Sequence, residues 1–185
     1  ALLGGVALHP NEIARFESQA ALAEGLAEIE RLARHPRVRV VGETGLDYFR
    51  TGPEGQPAQQ DAFRWHIDLA KRLGKTLQIH DRDAHDDVLR ILDEEGAPER
   101  TVLRCFSGDV GMAQRAVERG FYLSFAGTVT FSSAKGLRDA LSVLRTEAGL
   151  RGVELDDGAA LATLAQRVIF DAEGEGAPIA ERYRV

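Results

Sequence analysis

The stretch Val38-Arg39-Val40-Val41-Gly42-Glu43, residues 38–43, decides the fold class, because it is a short apolar strand that leads through glycine to an acid. The predicted strand covers Val38–Val41, and short apolar segments of the same kind recur along the chain. The other candidate strands are Gly5–Leu8, Thr76–Ile79, Thr101–Leu103 and Phe121–Phe125.

Amphipathic helical patterns fill most of the segments between these strands. Apolar residues recur at steps of three and four, which is the spacing of one helix face. The five groups begin at Leu22, Phe63, Val88, Met112 and Leu137, and Gly74 and Gly120 follow two of them as C-terminal stops. Strands that alternate with helices in this way predict an α/β fold with a parallel sheet.

The remaining choice lies between an open doubly wound sheet and a (β/α)₈ barrel. No G-x-G-x-x-G or P-loop sequence follows a strand, which removes the main support for a nucleotide-binding fold. Five strands are too few for a barrel of about 250 residues, so a barrel requires that part of it is missing. Neither the loop Thr51–Ala58 nor the acidic stretch Glu173–Pro178 divides the chain, so we expect one domain over residues 1–185.

The composition limits the classes of function. The chain has 185 residues, 44% of them apolar, and a formal net charge of −6. This charge argues against a broad basic nucleic-acid surface, although divalent metals can supply positive charge to a nuclease. The single cysteine, Cys105, excludes an internal disulfide and suits the cytoplasm. No apolar run approaches the ~20 residues that span a bilayer, so we expect no membrane association.

Three successive strands each lead to a side chain that is suited to chemistry. Glu43, His80 and Arg104 follow them at the C-terminal ends, which lie on one face of a parallel sheet or barrel. A carboxylate and an imidazole form a reasonable partial shell for a divalent metal. A glutamate at a loop start is also commonly a cap or ion-pair partner, and a histidine after a strand is commonly a hydrogen-bonded structural residue. Both interpretations stay open on the residues alone.

Five short motifs carry a resemblance to a known family. They are Leu8-His9-Pro10, Val41-Gly42-Glu43-Thr44-Gly45-Leu46-Asp47-Tyr48, Ile79-His80-Asp81-Arg82-Asp83-Ala84, Cys105-Phe106-Ser107-Gly108 and Gly127-Thr128-Val129-Thr130-Phe131. In order and spacing, the series resembles the TatD family of metal-dependent deoxyribonucleases. The resemblance implies a TIM-type barrel, a divalent metal (Mg²⁺, Mn²⁺ or Zn²⁺) held by Glu43 and His80, and hydrolysis of DNA phosphodiesters by a metal-activated water.

Further roles follow from position in the sequence. Arg82 lies two residues after His80, so strand alternation returns it toward the same crevice, where it is a candidate phosphate contact. Asp47 is a candidate for the residue that holds a metal ligand in place. We expect His66 to pack in the core and Cys105 to be buried.

The chain departs from the family pattern in three places. No H-x-H pair precedes the first strand, no E-T-D-x-P segment follows Leu141, and Arg104 stands where the family has histidine. Because a guanidinium has no free lone pair for a metal, we expect Arg104 to pair with Glu43 or to hold a substrate phosphate. Our hypothesis is that Arg104 substitutes for metal charge and that metal affinity is low.

The first strand and the late strands of a barrel are therefore missing from this sequence. Either the numbered sequence omits segments of a longer polypeptide, which we favour, or the chain is truncated and would cover its open edges by self-association. Three functions stay open: a TatD-type deoxyribonuclease, an amidohydrolase-type enzyme with another substrate, and a non-catalytic binding protein.

Overall fold

The computed structural model describes residues 3–147, and the chain divides into two compact units, residues 1–104 and 105–185. The elements of the first unit are β1 (Gly4–Val6), α1 (Pro10–Ile13), α2 (Gln19–Ala33), β2 (Val38–Asp47), α3 (Gln56–Leu73), β3 (Thr76–Arg82), α4 (His85–Glu95) and β4 (Thr101–Leu103). Those described in the second unit are α5 (Val110–Glu118), β5 (Tyr122–Leu123), a 3₁₀ turn (Gly127–Thr130) and α6 (Lys135–Glu147). The prediction of a single domain over 1–185 stays a prediction.

In the first unit, each strand pairs in parallel with the next one along the chain. Val41 lies opposite Val6 of β1 and Leu77 of β3, and Ile79 lies opposite Leu103 of β4. This sequential order is that of consecutive βα units in a barrel, whereas a doubly wound sheet reverses its strand order at a switch point. The α/β class and the parallel sheet are confirmed. The C-terminal ends of β2, β3 and β4 therefore lie along one edge.

Strand β2 runs further than its apolar pattern predicted. We expected it to end at Val41, but it continues to Asp47 through an irregularity between Val41 and Thr44. Glycine permits this course: a Cβ on Gly45, at φ 132°, would lie 2.0 Å from the carbonyl oxygen of His80. A Cβ on Gly42 would lie 2.5 Å from Cβ of Gln78. The two glycines that bracket Glu43 thus let β2 run close against β3.

Helix α3 packs its apolar face into the core of the first unit. Phe63, Ile67 and Ala70 are fully buried, and burial of a large apolar side chain contributes about 2 kcal/mol relative to its exposure. The helix ends at Gly74, which has φ 60°, as predicted. Its start was predicted wrongly, because the expected loop Thr51–Ala58 contains the first turn, which begins at Gln56 with proline at a position that needs no amide hydrogen.

The described part of the second unit is built on α5 and α6. The side chain of Asp109 accepts a hydrogen bond from the Met112 amide at 2.8 Å and so begins α5. Gly120, with φ 73°, follows the end of α5 as expected. The prediction that Cys105 is buried was wrong, since it is exposed in a left-handed backbone conformation. The acidic stretch Glu173–Pro178 lies outside the described residues.

No helix within residues 3–147 combines the length and the apolar content needed to cross a bilayer.

Candidate metal centre

Glu43 and His80, the two predicted metal ligands, face each other across neighbouring strands. Nδ1 of His80 lies 3.1 Å from Oε1 of Glu43, although the residues are 37 positions apart. The His80 side chain keeps only 22% of its surface exposed, and the Glu43 side chain only 18%. Metal–ligand bonds of about 2.1 Å bring neighbouring ligand atoms roughly 3 Å apart, so this pair has the spacing of two ligands on one ion.

Asp47 fixes the orientation of the His80 ring. It is 1% exposed, and its Oδ2 lies 3.0 Å from Nε2 of His80 and accepts a hydrogen bond from Nδ2 of Asn11 at 2.9 Å. Burial acts to raise the pKa of Asp47, but the hydrogen bonds from Asn11, Arg50 and His80 outweigh it and lower that pKa. With Asp47 ionised, Nε2–H of His80 donates to it, and Nδ1 faces Glu43, to which it donates when the ring is protonated.

The same two carboxylates govern the protonation of His80. Desolvation acts to lower the pKa of His80, but hydrogen bonds to Glu43 and Asp47 reverse the effect and raise that pKa. For Glu43, desolvation is opposed by the hydrogen bond from His80 and the charge of Arg104, which together lower its pKa. Glu43 is therefore a carboxylate at neutral pH.

Arg104 pairs with the second oxygen of Glu43, as expected. Its Nη1 donates to Oε2 of Glu43 at 2.8 Å, while 45% of the arginine side chain stays exposed. Glu43 therefore turns Oε1 to an imidazole and Oε2 to a guanidinium, and only Oε1 is free of the arginine.

His9 belongs to this cluster, and the sequence reasoning gave it no role. The ligand atoms that His9, Glu43 and His80 can offer all lie within 4.8 Å of one another, and the two imidazole rings have centroids 4.5 Å apart. The signal was present, since His9 follows an apolar strand pattern, as Glu43 and His80 follow the apolar parts of β2 and β3. The Leu8-His9-Pro10 motif by itself predicts only a turn at this position.

The hydrogen bonding of His9 defines which ring nitrogen carries the proton. The Asn11 amide donates to Nδ1 at 3.2 Å where His9 caps α1. Desolvation, followed by the charge of His80, lowers the pKa of His9 and keeps the ring neutral. A neutral ring that accepts at Nδ1 has its proton on Nε2. In this arrangement His9 offers an N–H donor.

Two polar residues of α3 hold the segments that carry these groups. His66 is fully buried; its Nε2 accepts the Leu8 amide at 3.1 Å, and its Nδ1–H donates to the Ala62 carbonyl at 2.6 Å. Burial lowers the pKa of His66 to about 4. The expected core position is confirmed, and the hydrogen bond to Leu8 adds a role beyond packing.

Gln59, two turns before His66 on the same face of α3, does the same for the end of β2. Its Oε1 accepts the Asp47 amide at 2.9 Å, and its Nε2 donates to the Pro10 carbonyl at 3.2 Å and to Oγ1 of Thr51 at 2.7 Å. Gln59 is 1% exposed. A fully used, buried amide of this kind fixes the backbone on both sides of the cluster.

Arg82 contacts an aromatic ring. Its guanidinium carbon lies 3.7 Å from the centroid of the Phe49 ring. The predicted phosphate contact of Arg82 stays a prediction.

Comparisons with known proteins identify the family of this chain. The family model described as TatD related DNase matches residues 1–150. The chain belongs to this family. A relative named uncharacterized metal-dependent hydrolase TatD, from Mycobacterium tuberculosis (strain ATCC 25618 / H37Rv), is 47% identical over 146 residues, which cover 77% of this chain and 53% of the relative. The uncharacterized metal-dependent hydrolase YcfH of Escherichia coli (strain K12) is 45% identical over 114 residues, covering 61% of this chain and 43% of that protein.

Solved structures match the fold. The crystal structure of YJJV, a TatD homolog from Escherichia coli K12, superposes with a TM-score of 0.68 at 24% identity and covers 91% of this chain and 75% of its own. A TatD family hydrolase from Entamoeba histolytica gives a TM-score of 0.62 at 22% identity. The match covers 76% of this chain and 46% of that protein. The predicted TIM-type barrel fold is thereby confirmed. The chain spans about half the length of the curated relatives it matches.

The residues present fit a divalent cation in part. Glu43 and His80 can offer one oxygen and one nitrogen ligand, the donor types that Zn²⁺ and Mn²⁺ accept. Asp47 supplies the carboxylate that commonly orients a ligating histidine. Arg104 brings a positive charge to the same carboxylate, which opposes a second cation at Oε2.

Proposed function

We propose that this chain contributes the metal-binding face of a TatD-type hydrolase that cleaves DNA phosphodiesters. The observation that carries the proposal is the pairing of Glu43 Oε1 with His80 Nδ1 at 3.1 Å, with Asp47 behind the imidazole. Family membership supports the same chemistry. We further propose that the chain acts as one domain over residues 1–185, in the cytoplasm, with DNA as its substrate.

Glu43 and His80 are the proposed ligands of a divalent ion, and Asp47 is the positioning residue behind them. When bound, such an ion supplies a water of lowered pKa and a charge that offsets the charge developing on the phosphoryl oxygens. Asp47 holds the Nε2 proton of His80, so the proton that a bound ion would displace is the one on Nδ1, and the lone pair left there would face the ion. His9, with its proton on Nε2, is proposed to donate a hydrogen bond to a phosphoryl oxygen.

Arg104 is proposed to take over part of the charge that a metal would otherwise supply. One guanidinium nitrogen is bound to Glu43, and the rest of the exposed fork can hold a second phosphoryl oxygen. The same contact draws electron density from Glu43, so we expect weak metal binding. In calorimetric titrations with Zn²⁺ and Mn²⁺, micromolar or tighter binding by the wild-type chain would contradict this role.

A matched pair of variants separates the effect of Arg104 from general surface charge. Arg104→Ala should bind the metal more tightly than the wild type, because Glu43 loses a competing cation. Arg15→Ala removes an arginine whose ion pair with Glu12 is exposed, and it should leave the metal affinity unchanged. Equal affinity in all three chains would show that Arg104 does not compete with the metal.

Digestion of single-stranded DNA tests the activity itself. The wild type is compared with His80→Ala, with and without a chelator, and with His35→Ala as an exposed histidine control in the turn between α2 and β2. We expect cleavage that chelator and His80→Ala abolish and that His35→Ala preserves. Cleavage that neither the chelator nor His80→Ala reduces would contradict the proposed metal-dependent hydrolysis.

A non-catalytic binding protein is the second candidate, and Arg104 is the observation that favours it. An arginine at a ligand position can hold an anion where a family member would hold a metal. This function is supported if the chain binds single-stranded DNA in a gel-shift assay but forms no cleavage products at saturating Mn²⁺. Turnover under those conditions contradicts it.

A further inference from the structure

We propose that Phe49 and Arg82 form a stacking platform for a nucleobase of single-stranded DNA beside the metal centre. The inference rests on the proposed DNA substrate and specifies how that substrate is held. Phe49 lies in the turn directly after β2, two residues beyond Asp47. Arg82 ends β3 and is the register partner of Asp47. The platform therefore lies at the same strand ends as Glu43 and His80.

The Phe49 ring is exposed to solvent and contacts the guanidinium of Arg82. It keeps 61% of its surface accessible, and among residues 3–143 only two other large apolar side chains, Leu3 and Phe131, are comparably exposed. The Arg82 guanidinium lies 3.7 Å from the ring centroid. Single exposed apolar side chains are common on protein surfaces, so the proposal rests on the guanidinium that packs on the ring and on the position of the ring beside the metal centre.

The backbone of the turn is tied to the cluster. The Tyr48 amide donates to the Arg82 carbonyl at 2.9 Å, and the Arg50 amide donates to Oδ1 of Asp47 at 2.9 Å. Phe49 lies between these two anchored amides. The carboxylate that orients His80 thus also anchors the backbone that carries the ring, which keeps the ring beside the ends of β2 and β3.

The chemistry of the pair matches single-stranded nucleic acid. Every nucleobase presents a π-face, so an aromatic ring binds it with little sequence preference. A guanidinium beside that ring adds cation–π attraction and a positive charge for the adjoining phosphate. This local charge operates within a chain of net charge −6, where a broad basic surface is not expected.

Fluorescence anisotropy with two labelled oligonucleotides tests the platform. One is a short single strand of thymidines, and the other has the same backbone with abasic sites throughout. Both are titrated in chelator so that no cleavage occurs. The proteins are the wild-type chain, Phe49→Ala, Phe49→Trp and, as an exposed phenylalanine control, Phe131→Ala. Circular dichroism verifies that each variant is folded.

We expect Phe49→Ala to weaken binding of the thymidine strand by about tenfold, the size of one lost base–aromatic stack. Binding of the abasic strand should change less than about twofold, and Phe49→Trp should restore the thymidine affinity. An equal loss of affinity for both strands would overturn the platform, because the ring would then only stabilise the turn. No loss of affinity for either strand would also overturn it, because the ring would then not contact DNA.

The outcomes also separate this inference from the proposed hydrolysis. Base-dependent binding without chelator-sensitive cleavage supports the platform and contradicts the proposed enzyme. Cleavage with no dependence on Phe49 supports the enzyme and overturns the platform. A wild-type chain that binds neither strand contradicts DNA as the substrate and overturns the platform with it.

Discussion

Replacing His66 with glutamine should make the stability of the chain less sensitive to acid. The imidazole is buried, accepts the Leu8 amide at Nε2 and donates to the Ala62 carbonyl from Nδ1. A proton on Nε2 would break the first hydrogen bond and leave a charge in the core. The folded chain must therefore keep His66 neutral, whereas the unfolded chain does not.

The magnitude follows from the pKa of His66. Burial lowers it from 6.5 to about 4, and one pKa unit corresponds to about 1.4 kcal/mol. Above pH 6.5 the ring is neutral in both states and the stability is constant. As the pH falls from 6.5 to 4, the unfolded state takes up the proton first, and the folded state loses about 3 kcal/mol relative to it.

Trp65 provides the assay, because it is the only tryptophan and its ring lies edge-on to His66 with centroids 5.0 Å apart. Urea unfolding is followed by its fluorescence for wild type and His66→Gln between about pH 7.5 and about pH 4.5. The difference between the two free energies of unfolding cancels the other titrating groups.

This difference should stay constant above pH 6.5 and then shift against the wild type by about 1.4 kcal/mol per pH unit. A difference that is flat across the whole range would refute the neutral, buried state of His66. The same would follow from an NMR titration in which the imidazole protonates in the native chain near pH 6.5.

Three other perturbations test the cluster. Gly45→Ala should destabilise the chain by roughly 3 kcal/mol or more in urea unfolding, because its Cβ would overlap the His80 carbonyl; Gly136→Ala, which meets no atom within 4 Å, should not destabilise it. Asp47→Asn should weaken calorimetric Mn²⁺ affinity about tenfold or more by freeing the His80 ring, and an unchanged affinity would exclude a positioning role. His9→Gln should leave metal affinity as in the wild type while slowing DNA cleavage; a loss as large as that of His80→Ala would identify His9 as a ligand.

The sequence predicted the order of the elements because each buried strand and each amphipathic helix has its own local pattern. Within residues 3–147, the five strands and the five main helices lie where apolar periodicity placed them. Their boundaries were less predictable, as β2 shows: polar Glu43 and Thr44 end the apolar pattern, yet pairing with β3 continues to Asp47. Contact with another strand decides that extension, and local sequence does not encode it.

The candidate site was predictable where position along a strand determines it. Glu43 and His80 were found because parallel strands bring their C-terminal ends together, and Arg104 was expected to reach Glu43 for the same reason. His9 was missed because it follows a strand of only three residues, Gly4–Val6, and because a motif with proline reads as a turn. The roles of Gln59 and Asn11 depend on side chains that meet over long sequence separations, which no local pattern reveals.

The two buried polar side chains of α3, Gln59 and His66, are seven residues apart, or about two helical turns and roughly 10 Å along the axis. One reaches the end of β2 and the other the turn after β1, so both sides of the cluster take their position from one rigid helix. A single-residue insertion between Gln59 and His66 would rotate one of them by about 100° relative to the other and disconnect a side of the cluster. The turn before the helix, by contrast, can change length without altering this spacing. Within α3, the tolerance of the chain to insertions and deletions should therefore be set by the cluster rather than by the helix itself.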